Sequence, residues 1–253
     1  SHPLLAKTML RSLFISPLLS FVTAFVAAFV AAFIVVLAVA LVVAAPTGLQ
    51  LDSAVLHEAE SRFGVTARIR LEEWQKLIEE ITQLPEEEKL EKTNEFFNEQ
   101  VRFVNDIDHW GEKDYWATPV ETLATHGGDC EDFSIAKYFT LLQAGVDDSK
   151  IRITYVKAIK LKQAHMVVTY YPTDDAVPLV LDNLVRSIFP ANLRKDLTPV
   201  YSFNGSDVWN SKDRGRGKRL GSSSSLNAWT QLQKRMTSSD IRQPVENTAP
   251  TRG

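Results

Sequence analysis

The sequence predicts an α+β domain, helices first and an antiparallel sheet after, behind a long apolar N-terminal segment. Three observations predict it. Leu13 to Ala45 is uncharged and overwhelmingly apolar. From Leu71 to about Val104 apolar side chains recur every three or four positions. Beyond Gly145 the rhythm changes to short Val-, Ile- and Tyr-rich segments separated by turn residues. The first pattern suits a membrane-spanning helix, the second amphipathic helices and the third strands. Helices followed by strands are an α+β order.

Residues 1–51 are expected to be a membrane anchor. The apolar run exceeds the roughly 20 helical residues that cross a bilayer core, and also the about 7–15 of a secretory leader. Lys7 and Arg11 precede it, while Asp52, Glu58 and Glu60 follow, which places the N-terminus inside and the rest outside. Ala44-Ala45 before Pro46 is where a leader would be cut. Phe21, Phe25, Phe29 and Phe33 recur every four residues, as lipid-facing filler or a helix-contact stripe.

Residues 52–236 form the expected globular domain. Residues 52–66 read as a connecting loop with a short strand or turn. Trp74, Leu77, Ile78, Ile81 and Leu84 then share a helix face until Pro85 breaks it. Leu90, Phe96, Phe97, Val101 and Val104 continue the pattern from Glu86. After a Gly127-Gly128 loop, a helix opens at Cys130, with Phe133, Ala136 and Leu141 on its apolar side and Gly145 as its stop. Strands are expected at 151–160, 165–171 and 178–182, with turns at Lys162-Gln163 and Pro172–Asp175. Ser211–Ser225 reads as a flexible loop and Leu226–Met236 as a last helix. Residues 237–253 read as a disordered tail.

The net charge is −3, which gives no reason to expect a nucleic-acid partner. Cys130 is the one cysteine, so no internal disulfide can form. At a helix N-terminus its thiolate is favoured by the helix dipole. A small buried hydrophobe is the competing role. His165 near a strand start could take the thiol proton, and Asp182 ending the next strand could hold the imidazole. Each alone has a structural explanation, but their chain order brings helix start and adjacent strand ends together. Asp129, Glu131 and Asp132 flank the thiol as a hard-cation site or as acids favoured by the helix dipole. Trp116 is either an oxyanion donor or a groove wall, and the Cys130 N–H is the other donor.

The stretches Asp114-Tyr115-Trp116, Gly128-Asp129-Cys130-Glu131-Asp132-Phe133, Ala164-His165-Met166-Val167 and Leu181-Asp182-Asn183 resemble the bacterial transglutaminase-like cysteine proteinases. The resemblance implies a papain-like or transglutaminase-like core with Cys130, His165 and Asp182 as a triad. It implies hydrolysis beside paired alanines in the N-terminal region of a large repeat-containing biofilm adhesin in the periplasm. It implies control by an inner-membrane cyclic-di-GMP receptor. It also implies Ca2+ dependence, with Asp129 and Glu131 as ligands, Asp132 as a third, and a further ligand from the 106–112 loop. Competing functions are a transglutaminase or amidase using the same triad, and a non-catalytic periplasmic binding module. Cys130, His126 and His165 match no usual zinc spacing.

Overall fold

The computed structural model describes residues 51–173, 175–211, 217–238 and 240–245. The expected anchor and the Phe repeat lie outside these residues. Among the described residues no helix is long and apolar enough to cross a membrane.

Three helices lead. α1 (Ser53–Phe63) occupies the stretch expected to be a loop. Asp52 caps it, accepting from the Ala54 N–H at 2.9 Å. Gly64, at φ 85°, turns the chain into α2 (Val65–Ile81). α3 (Glu86–Gln100) follows Pro85. Its end is earlier than the periodicity predicts, because Val101 turns extended and leads into β1 (Arg102–Phe103).

A short α4 (Asp106–His109) and α5 (Pro119–Thr125) come next. Thr118 and Glu121 close a capping box on α5. β2 (Gly127–Gly128) pairs parallel with β1. α6 (Cys130–Gln143) then runs through the middle of the domain. Its Phe133 and Ala136 pack with Leu71, Trp74, Ile78 and Phe97 of the helical lobe. Its Ile135, Tyr138 and Leu141 pack with Ile153, Met166, Val168 and Phe203 of the sheet. Each large apolar side chain buried this way contributes about 1.5–3 kcal/mol. Trp74 Nε1 donates to Thr140 Oγ1 at 2.8 Å, pinning α2 to α6.

The sheet has seven antiparallel strands in the order β6-β5-β4-β3-β7-β8-β9. They are β3 (Ile151–Ala158), β4 (Gln163–Tyr170), β5 (Leu179–Leu181), β6 (Phe189–Pro190), β7 (Leu197–Phe203), β8 (Asp207–Asn210) and β9 (Lys218–Ser222). Part of the expected 211–225 loop is therefore strand β9, paired with β8. α7 (Asn227–Arg235) buries Trp229 and Leu232 against the sheet-side core. The first part of the expected disordered tail is also packed. Ile241 is buried in the helical lobe, and the Val245 N–H donates to the His109 carbonyl at 2.9 Å.

Candidate active site

The sequence around Cys130 fixes its position before any chemistry is considered. Asp129 is the N-cap of α6, and its carboxylate accepts from the Glu131 N–H at 3.3 Å. Asp132 answers from the third helical position, accepting from the Asp129 N–H at 3.2 Å. The other oxygen of Asp132 accepts from the Ala117 N–H at 2.7 Å, tying the 114–117 segment to the helix start. This reciprocal cap holds Cys130 as the first residue of the helix, where its own N–H lacks an intrahelical partner. The preceding glycines are packing glycines. A Cβ on Gly128 would sit 2.7 Å from Asp132 Cβ, and one on Gly127 would sit 2.9 Å from the His109 ring.

β4 brings the histidine to this point. His165 lies opposite Val156 of β3 and is buried. The backbone N–H of its neighbour Met166 is near enough to Cys130 to favour its thiolate. Its Nε2 lies 2.8 Å from Asp182 Oδ1, which leaves Nδ1 as the second ring nitrogen. Asp182 stands immediately after β5, fully enclosed. The Leu184 N–H donates to Oδ1 at 3.0 Å, and Asn98 of α3 donates to the Asp182 carbonyl at 2.9 Å. Burial by itself would raise this carboxyl. The hydrogen bond and charge of His165, the Leu184 N–H and Arg194 outweigh it and hold the pKa down at about 2.

The thiol is in the opposite situation. Burial pushes its pKa up strongly, and the charges of Glu131 and Asp129 add to this. Sγ donates to Glu131 Oε2 at 3.0 Å. Helix dipole and Met166 N–H favour the thiolate, but neighbouring carboxylates oppose them.

Those carboxylates extend beyond the three adjacent acids. Asp106, Asp114 and Glu131 bring oxygens within 4.8 Å of one another, and so do Asp106, Asp129 and Asp132. Asp106 is buried, with Oδ2 accepting from the Tyr115 N–H and Oδ1 without a partner among the described residues. Burial, joined by the charges of Glu131, Asp114 and Glu112, raises its pKa to about 6. Burial also raises Asp129 and Asp132, each further by the other acids. An enclosed carboxylate oxygen with no donor, in a set of hard oxygen ligands, fits a calcium ion. Of the expected ligands, Asp129 and Glu131 join this set readily. Both oxygens of Asp132 already hold backbone amides, so its first role is to build the helix start. Asp106 falls in the 106–112 loop expected to give a further ligand, and Asp114 is an addition from just beyond that loop.

Trp116 commits its indole N–H to an acid of the cluster. Nε1 donates to Asp114 Oδ1 at 2.9 Å, and the ring stacks on Phe203 with centroids 5.6 Å apart. It is a wall that aims Asp114. His126 is committed elsewhere, with Nδ1 2.8 Å from the Gln100 carbonyl, and no histidine joins the cation-holding groups among the described residues.

A family described as the bacterial transglutaminase-like cysteine proteinases matches residues 72–197. Legionella pneumophila LapG is 42% identical, with a TM-score of 0.64, over 75% of this chain and 99% of that one. EGTA-treated LapG of the same organism is 43% identical at a TM-score of 0.64, covering 74% and 100% of the two chains. The calcium-bound form is 43% identical at 0.62, covering 72% and 97%. No curated protein matches. The mixed helix-and-sheet fold is thus that of LapG, and the chain belongs to the bacterial transglutaminase-like cysteine proteinases as a LapG-type protease.

Proposed function

We propose that this protein is a calcium-dependent cysteine endopeptidase with Cys130 as nucleophile, His165 as base and acid, and Asp182 as the residue that orients His165. The observation that carries this reading is the 2.8 Å bond from His165 Nε2 to an enclosed, ionised Asp182, beside a helix that begins with Cys130. In the reaction Nδ1 of His165 takes the thiol proton, and Sγ attacks the scissile carbonyl carbon. The Cys130 N–H faces the developing oxyanion. The imidazolium returns its proton to the leaving amine as the C–N bond breaks. Water, deprotonated by His165, then releases the acyl group as a free carboxylate.

Asp106, Asp114, Asp129 and Glu131 would hold the Ca2+, with Asp132 completing their frame. A bound cation supplies positive charge that offsets the repulsion these carboxylates exert on the thiolate. The solved LapG includes calcium-bound and EGTA-treated forms, which supports calcium as the cation.

On the same reading the substrate is the N-terminal region of a large repeat-containing biofilm adhesin, cut beside paired alanines. A LapD-like inner-membrane cyclic-di-GMP receptor is the controlling partner. The domain works in the periplasm, tethered by the apolar segment before Asp52. The test is incubation of an adhesin N-terminal fragment with wild type and Cys130→Ala, with calcium or chelator, read by mass spectrometry. Calcium-dependent cleavage giving a new carboxyl terminus is expected from wild type alone. An isopeptide cross-link would mark a transglutaminase instead, and cleavage by the Cys130 variant would remove the nucleophile assignment.

A further inference from the structure

Asp182 is held from two sides. Oδ1 faces His165 and the Leu184 N–H, whereas Oδ2 accepts from Arg194 Nη2 at 2.7 Å. Arg194 comes from the connection between β6 and β7 and is gripped in turn by Asp196. Its Nε donates to Asp196 Oδ1 at 3.0 Å and its Nη2 to Oδ2 at 2.8 Å. The Arg194 side chain is 5% exposed. Its Nη1 is buried without a hydrogen-bond partner among the described residues. It lines an apolar groove with Val156, Val167 and Val180 on the outer face of the sheet.

This is an unfavourable way to gain stability. A buried ion pair with an unsatisfied donor is matched or bettered by a packed hydrophobe of similar volume. The arrangement makes sense through what it does to Asp182. We propose that Arg194 is a positioning residue for hydrolysis, fixing Asp182 as the ionised, oriented partner of His165. The inference rests on the proposed roles of Cys130, His165 and Asp182.

The charged or titratable groups facing Asp182 are His165 from β4, Arg194 and Asp196 from the β6–β7 connection, and Lys137 from α6. Lys137 donates to Asn94 and Asn98 at 2.8 and 2.7 Å, and reaches Asp182 only through Asn98. Arg194 alone combines direct contact with a charge that is permanent over the working pH range. Without it, an enclosed carboxylate would take up a proton at higher pH, by on the order of one to three pH units. A protonated Asp182 cannot stabilise the imidazolium. Activity needs the ionised form, so the acid limb of the pH profile moves up.

The experiment uses the full chain in saturating calcium and measures, from acid to alkaline pH, both iodoacetamide alkylation of Cys130 and peptide hydrolysis. Arg194→Met should displace the acid limb to higher pH by about one unit or more, with about a tenfold loss per unit at fixed pH on the limb. Arg194→Lys, which restores the charge, should return the limb close to wild type. If Arg194→Met does not fold, Arg194→Gln carries the same test with a neutral donor. A uniform loss at every pH, with the limb in place, would overturn the positioning role. An unreactive Cys130 in wild type would instead overturn the nucleophile assignment on which the inference rests.

Discussion

Buried carboxylates on the two sides of Cys130 live in opposite electrostatic worlds. Around Asp182 charges alternate: His165 and Arg194 face the carboxylate, Asp196 backs the arginine, and the pKa settles at about 2. Around Asp129 they do not alternate. Asp106, Glu131 and Asp132 act on it, Asp114 lies against Asp106 and Glu131, and burial with mutual repulsion raises Asp106, Asp114, Asp129 and Asp132. The first arrangement is complete as protein, because each charge has a partner. The second leaves like charges facing one another, and the thiol shares their repulsion.

The largest effects should come from removing the thiol between the two sides or breaking the alternating side. Cys130→Ala should lower hydrolysis by about 10⁴-fold or more, with His165→Ala comparable, measured in single-turnover cleavage. Asp129→Asn and Glu131→Gln act on the other side. They should weaken calcium binding by about tenfold or more in titration calorimetry, while leaving the His165–Asp182 pair intact.

The comparison also sets opposite pH dependences. Asp182 has a depressed pKa, so its contribution to stability is present above the ordinary value of 3.8 and lost as pH falls toward about 2. Asp106 is raised from 3.8 to about 6, so its folded environment favours the protonated form. Its destabilising effect sets in as pH rises from about 4 through about 6. Calcium-free protein should therefore gain thermal stability as pH falls from 7 to 5, and saturating calcium should remove that gain. Equal slopes with and without calcium would separate the acid cluster from the cation. The smallest effect is expected of Trp116→Phe, which keeps the stack on Phe203 and removes the N–H to Asp114. It should cost about 1 kcal/mol in chemical denaturation and leave hydrolysis within a few-fold. A loss near 10²-fold would restore the indole as an oxyanion donor.

The same contrast separates what the sequence discloses from what it hides. α6 and the strands carrying His165 and Asp182 are visible because strong apolar periodicity ends in Gly145 or in turn residues. The cap that fixes Cys130 is local to Asp129 and Asp132, yet their acids read equally well as dipole partners or cation ligands, and only the fold shows them as a cap. α1 escapes because Val55, Leu56, Ala59 and Phe63 are too diluted by polar residues to outweigh a loop, and packing on α2 decides the outcome. β7 escapes because Pro199 contradicts an interior strand. The structure admits it through a bulge in β7 itself, where Val200 is the extra residue between the pairs Tyr201–Tyr155 and Pro199–Val156. Asp106 and Asp114 lie outside the Cys130 segment, and only the fold brings them to it. Arg194 sits in a short irregular connection without periodicity, so nothing local marks its contact with Asp182.

The central claim is that a cation at the acid cluster releases Cys130 as a thiolate beside His165. Its most direct test is the iodoacetamide alkylation rate of Cys130 at neutral pH, with saturating calcium and with EGTA. The account predicts fast, His165-dependent alkylation in calcium and a marked slowing in EGTA. Equal rates in the two conditions, or a calcium-bound rate no faster than that of an unfolded thiol, would contradict it.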